Sequence, residues 1–253
     1  PSHWFKNIFM LPGTVAAIWL TDTLSPRLIA VGFLGLASAC LIASANYVIN
    51  EWLDAEFDKY HPLKKNRPSV IGRIKPQWVY VEYVALAMLG LSVAYFVSGY
   101  FLVFGAFFLM MGFLYNVKPF RTKDKMYLDV LSESINNPIR FALGWFIVTS
   151  AFFPPASLLI AYWMGGAFLM AVKRYAELRF IRDPVVAGLY RRSFRFYTEN
   201  NLLVSILFYA MSFAFFFGVF MIKHRIELLL SLPLFSILFG WYLYLGMRSD
   251  SPA

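Results

Sequence analysis

Long apolar runs, parted by short polar stretches, organise the chain. Eight can be marked, at residues 7–20, 28–50, 78–97, 100–116, 127–148, 154–173, 200–221 and 227–247. A helix of about 20 apolar residues crosses a ~30 Å hydrocarbon layer. No run has the ten-residue alternation of a membrane β-strand, so helices are the expected spanning element. Pro12-Gly13 falls inside the first run and is expected to kink it. Tight connections are expected at Ser98-Gly99, Pro154-Pro155 and Lys223-His224, and longer polar ones at about 51–77, 117–126 and 174–199. The expected fold is all-α: a polytopic membrane helix bundle forming a single transmembrane domain over residues 1–253.

Composition agrees with the pattern. The chain is 60% hydrophobic and 15% charged, against roughly 45–50% apolar in soluble domains. Its single cysteine, Cys40, lies within an apolar run and reads as buried filler, with no internal disulfide possible. No cleavable signal peptide is visible; the chain begins without Met and ends abruptly, which reads as trimming at both ends.

The net charge of +9 changes the picture through its placement. The three long connections follow even-numbered runs, so they fall on one side. They and the adjoining helix ends carry Lys59, Lys64, Lys65, Arg67, Arg73, Lys75, Lys118, Arg121, Lys123, Lys125, Lys173, Arg174, Arg179, Arg182, Arg191, Arg192 and Arg195; the other side carries Arg27, Lys223 and Arg225. That asymmetry places the long loops in the cytoplasm. It accounts for most of the basic excess without a nucleic-acid partner.

Topology alone does not explain the carboxylates among these bases. Asn50, Asp54 and Asp58 are spaced i, i+4, i+8 and share one helix face. Two carboxylates so placed repel each other, whereas Mg²⁺ is commonly bound by one or two carboxylates together with substrate phosphates. The bland alternative is a solvated acidic helix end. His61-Pro62-x-Lys64-x-x-Arg67-Pro68 follows, a loop stiffened by proline whose bases can neutralise phosphate. Tyr115-x-x-Lys118 closes the fourth run, where a lysine is usually a snorkelling anchor. The fifth run contains Asp129, Glu133, Asn136, Asn137 and Arg140; as one helix it brings Asp129 and Arg140 to nearly the same face, for a polar cavity or for interhelical hydrogen bonds. The sixth ends with Lys173 and Glu177 at i, i+4, either a second polar rim or a surface ion pair of small worth. Phe213, Phe215, Phe216 and Phe217 read as packing or lipid-facing, and Trp4, Trp241 and Tyr244 as interfacial anchors.

Asn50-x-x-x-Asp54-x-x-x-Asp58 on a second membrane helix, with Tyr115-x-x-Lys118, resembles the first aspartate-rich motif and helix ends of the UbiA-type prenyltransferase superfamily. Further runs are similar to one branch, the decaprenyl-phosphate (polyprenyl-phosphate) phosphoribosyltransferases. They are Trp4-x-Lys6-Asn7, Asp58-x-x-His61-Pro62-x-Lys64-x-x-Arg67-Pro68-x-x-x-Gly72, Asp129 with Arg140, and Lys173-Arg174-Tyr175-Ala176-Glu177. Glu51, Glu133 and Asn136-Asn137 depart from that branch's pattern.

The resemblance implies a UbiA-like bundle with eight spanning helices visible and a ninth missing from the chain, in a bacterial inner membrane and serving cell-envelope biosynthesis. It implies transfer of 5-phosphoribose from phosphoribosyl diphosphate to a polyprenyl phosphate. Asn50, Asp54 and Asp58 would hold Mg²⁺ on the diphosphate. His61, Lys64, Arg67, Tyr115 and Lys118 would bind that donor, with Lys64, Arg67 and Lys118 offsetting charge on the leaving group. Asp129 and Glu177 would contact ribose or the developing cation at C1. Arg140, Lys173 and Arg174 would bind the 5-phosphate or the acceptor phosphate. The alternatives are prenyl transfer from an allylic diphosphate to an aromatic or other acceptor and, at lower weight, a non-enzymatic lipid-binding or transport protein.

Overall fold

The computed structural model describes residues 4–60, 66–72 and 75–248. Among these, every regular element is helical: α1 (Leu11–Thr21), α2 (Arg27–Asp58), α3 (Pro76–Val97), α4 (Gly99–Asn116), α5 (Leu128–Ser134), α6 (Asn136–Val148), α7 (Ala156–Ile181), α8 (Pro184–Tyr190), α9 (Glu199–His224) and α10 (Leu232–Met247), with short 3-10 turns between some of them. Among the described residues, six segments are long and apolar enough to cross a membrane: α2, α3, α4, α7, α9 and Ile226–Met247.

Two sequence expectations need correction. Pro12 does not kink a helix. A 3-10 turn, Trp4–Met10, precedes α1, and Pro12 lies in the first turn of α1, where a missing N–H costs nothing. The run at 127–148 is not one helix. It breaks at Ile135 because Pro138 cannot donate and its ring crowds the carbonyl four residues back, that of Ser134. A new helix starts at Asn136 with Pro138 in its first turn. Asp129 and Arg140 therefore lie on separate helices.

The chain forms two compact units, one drawn from Pro1–Arg121 and Asn136–Pro154, the other from Thr122–Ile135 and Pro155–Ala253. In the first, α2 is the central helix, with α3, α4 and α6 against it. Small residues on α2, Ser38, Ala39, Ala43 and Ala45, are buried and allow close approach; Ser38 Oγ donates to Gly90 O of α3 at 2.8 Å. Ser98 caps α4 by accepting from Phe101 N at 3.1 Å. With 32 residues, α2 measures roughly 48 Å at ~1.5 Å per residue, well beyond a ~30 Å apolar layer. Its last turns are thus free to be polar, and they hold Asn50, Asp54 and Asp58.

In the second unit α7 packs along α9, with α5 and α10 against α7. Phe168 of α7 stacks on Phe239 of α10 at 4.1 Å, and Phe213 of α9 packs on Phe217, Phe235 and Phe239. Phe215, Trp241 and Tyr244 are exposed, as suits side chains facing lipid. Asp183 caps α8, accepting from Val185 N and Val186 N. A reciprocal Thr198–Asn201 capping box opens α9. These caps fix the connection between α7 and α9, which carries much of the second unit's polar chemistry.

Candidate functional site

The end of α2 carries the acidic face anticipated from the sequence. Asp58 is buried and Asp54 is partly so. Each carboxylate meets a guanidinium of its own unit. Arg67 Nη1 donates to Asp58 Oδ2 at 2.7 Å, and Arg121 Nη2 donates to Asp54 Oδ1 at 3.2 Å. Arg121 is itself fixed: Nη1 donates to Asn116 O at 3.0 Å, and its guanidinium lies 4.7 Å from the Phe57 ring centre. Its backbone is left-handed, with φ of 30°, a strained setting of the kind that collects at functional sites. The polypeptide after α4 therefore turns back so that Arg121 covers the α2 face. From sequence, Arg121 was indistinguishable from a topology-setting base; its pairing with Asp54 depends on a turn no local pattern encodes.

Asn50 stands one turn before Asp54 on the same helix. Tyr115 is half-buried in the last turn of α4, and Lys118 is exposed just beyond it. His61 and Lys64 lie outside the described residues. Arg140 of α6 is buried away from solvent: Nε donates to Asn7 Oδ1 at 3.0 Å, and its guanidinium lies 4.6 Å from the Phe108 ring centre. Asn7 also donates to Cys40 Sγ at 3.2 Å, which ties the Trp4–Met10 turn to α2. Arg140 is thus tied to the Trp4–Met10 turn and to α4 within its own unit.

The second unit has its own cluster, centred on Arg174, which is 2% exposed. Its three nitrogens reach three carboxylates: Nε to Asp129 at 3.3 Å, Nη2 to Glu133 at 2.6 Å and Nη1 to Glu177 at 2.9 Å. Asp129, fully buried, also accepts from Tyr197 OH at 2.7 Å and Ser193 Oγ at 3.1 Å, with Arg191 at 3.9 Å. Burial, and then the Asp129 carboxylate, raise the Tyr197 phenol well above its ordinary value, so it remains a neutral donor. Both oxygens of Asp129 are engaged, and the carboxylate positions Arg174, Ser193 and Tyr197. Arg174, a phosphate-binding candidate from sequence, pairs with three carboxylates of its own unit. Glu177 meets Arg174 at i−3, and Lys173 of the same helix is half-buried. Tyr197 and Ser193 went unnoticed in the sequence because a lone Tyr or Ser in a polar connection carries no signal.

Among the described residues, no three His, Cys, Asp or Glu side chains gather as a metal set. Mg²⁺ asks for less, since it retains several waters and takes one or two carboxylates with substrate phosphate. The α2 face supplies two carboxylates and one carboxamide, all hard oxygen donors, and that donor set fits.

A family model described as the UbiA prenyltransferase family matches residues 8–253. The chain is 27% identical over 219 residues to a decaprenyl-phosphate phosphoribosyltransferase of Mycolicibacterium smegmatis, covering 80% of this chain and 62% of the relative. It is 28% identical over 219 residues to the protein of the same name from Mycobacterium tuberculosis, covering 80% and 65%. The chain thus spans a little under two thirds of the length of these relatives. In fold it is similar to a UbiA homologue from Archaeoglobus fulgidus solved with DMAPP and Mg²⁺, with a TM-score of 0.76 at 21% identity, covering 98% of this chain and 85% of that one.

Proposed function

Because the chain belongs to the UbiA prenyltransferase family, we propose that this integral membrane protein transfers 5-phosphoribose from phosphoribosyl diphosphate to a polyprenyl phosphate. The observation that carries the reading is the acidic α2 face, Asp54 and Asp58 each under a guanidinium. The choice of phosphoribose rests on the relatives named decaprenyl-phosphate phosphoribosyltransferase.

In this reading Asn50, Asp54 and Asp58 hold Mg²⁺ when it is bound, and the ion supplies positive charge to the donor's diphosphate. Arg67 and Arg121 exchange part of their carboxylate contact for phosphate oxygens, with Tyr115 and Lys118 at the end of α4 as further donor-binding candidates; His61 and Lys64 are kept as donor-binding candidates on the sequence alone. Fixed cations at a departing diphosphate stabilise the charge that builds there. The C1–O bond breaks, diphosphate leaves with the electron pair, and an oxygen of the lipid phosphate bonds to C1. That phosphate is already an anionic nucleophile, so no general base is required. In the second unit, Glu133 and Glu177 are oriented by Arg174 as acceptors for hydroxyl groups, and Asp129 fixes Arg174. Lys173 and Arg140 are kept as phosphate-binding candidates on the sequence pattern alone. The basic connections face the cytoplasm of a bacterial inner membrane, following the distribution of Lys and Arg.

Prenyl transfer from an allylic diphosphate is the second reading, favoured by the DMAPP bound in the Archaeoglobus fulgidus homologue. Carboxylates that hold a diphosphate cannot tell the two donors apart. The purified chain in vesicles separates them when offered labelled phosphoribosyl diphosphate with decaprenyl phosphate, or labelled geranyl diphosphate with an aromatic acceptor. Labelled lipid phosphate from the first pair supports phosphoribosyl transfer; product from the second pair alone supports prenyl transfer.

A further inference from the structure

The second unit contains a cavity of about 520 Å³ that the proposed chemistry does not use. Its polar wall comprises Arg179, Arg182 and Glu199; Leu178, Pro184, Phe194 and Tyr197, whose hydroxyl is taken by Asp129, line the rest. Arg179 and Leu178 belong to the last turns of α7, and Glu199 opens α9. Both helices are candidate membrane spans, so the cavity lies where two spans reach their polar ends.

Its cations are only partly committed. Arg179 uses Nη1 on Met247 O at 2.7 Å and Nε on Glu199 at 3.7 Å, a loose pair more than one third exposed on both sides. Such pairs are worth about 0–1 kcal/mol and exchange readily for a better anion. Arg182 has no hydrogen bond or ion pair among the described residues. Its backbone is left-handed, with φ of 58° directly after α7, and its side chain lines the cavity. Arg182 is exposed to solvent; with no ion pair among the described residues and a place on the same wall as Arg179, its guanidinium is available to an anion that enters the cavity.

Glu199 narrows the ligand class. It also accepts from Tyr175 OH at 3.4 Å, so it is oriented as a hydrogen-bond acceptor. A bare phosphate gains nothing from a carboxylate neighbour, whereas a phosphate ester with free hydroxyls uses both: guanidiniums for the phosphate, carboxylate for the hydroxyls. The apolar wall and the position at the ends of two spans favour a ligand with an acyl tail. We propose that this cavity binds the phosphate headgroup of a hydroxyl-bearing anionic phospholipid, of the phosphatidylglycerol type, independently of which group the protein transfers.

Native mass spectrometry of the purified full chain tests this, after exchange into nanodiscs of phosphatidylglycerol and phosphatidylcholine and gentle release. Wild type is expected to retain one phosphatidylglycerol that survives activation, and Arg179→Gln/Arg182→Gln to retain it at least tenfold less. Arg192→Gln changes a base of the same connection that pairs with Asp124 instead of lining the cavity; it is expected to behave as wild type and controls for bulk charge. Equal retention by wild type and the double variant, with unchanged melting temperatures, overturns the proposal. Equal loss in Arg192→Gln also overturns it, because the effect is then net charge. Millimolar glycerol phosphate separates the two sources of the headgroup chemistry: failure to displace the lipid supports a lipid site, and full displacement overturns it in favour of a soluble phosphate ester.

Discussion

Arg174 decides the character of the second unit. One buried guanidinium answers Asp129, Glu133 and Glu177, and its removal takes the charged donor from two buried carboxylates, Asp129 and Glu177. Arg174→Met is expected to cost about 3–5 kcal/mol, the usual penalty for breaking a buried charge network, read as a large fall in melting temperature in detergent. Arg174→Lys should recover only part of it, because a point ammonium cannot serve three separated acceptors. Tyr197 gives a pH signature. Its folded pKa lies above the unfolded value of about 10, so the folded chain keeps a proton that the unfolded chain releases. The stability it contributes is whole below about pH 10 and falls as pH rises beyond, by about 1.4 kcal/mol per unit. Denaturation curves of Tyr197→Phe should therefore be flatter than wild type above pH 10; parallel curves would contradict the Tyr197–Asp129 assignment.

Helix type and the α2 acidic face were legible from the sequence, because apolar runs of spanning length and an i, i+4, i+8 spacing are local signals. Two boundaries were misread for local reasons as well. Pro12 opens α1, and Pro138 parts α5 from α6; a proline's effect depends on whether it falls in a first turn or an interior. What remained hidden was tertiary: Arg121 turning onto Asp54, Arg174 bridging three acids, Asn7 meeting Arg140. None of these follows from residue spacing. Close packing of α1 against α6 was equally hidden. A Cβ on Gly13 would overlap the Phe141 carbonyl, and one on Gly144 would overlap that of Met10. Gly13→Ala and Gly144→Ala are each expected to cost about 1–3 kcal/mol through forced separation of the helices. Gly32→Ala, with open space around it, should be neutral or slightly stabilising. Melting temperatures of the three variants check the ordering.

For the molecule as a membrane protein, the single cysteine makes sidedness measurable. In a Cys40→Ala background, Lys75→Cys and Lys118→Cys should react with an impermeant thiol reagent from the cytoplasmic side of sealed vesicles. Lys223→Cys should react only from the opposite side, and labelling of all three from one side would contradict the assigned orientation. The transferase claim itself rests on the α2 face. Its most direct test is diphosphate release by the purified chain in vesicles holding decaprenyl phosphate and phosphoribosyl diphosphate, with Mg²⁺ or with chelator, for wild type, Asp54→Asn and Asp58→Asn. The account predicts release matched by lipid-linked phosphoribose in wild type, abolished by chelator and reduced about 10²-fold or more in either variant. Turnover that survives both chelator and the two substitutions would contradict it.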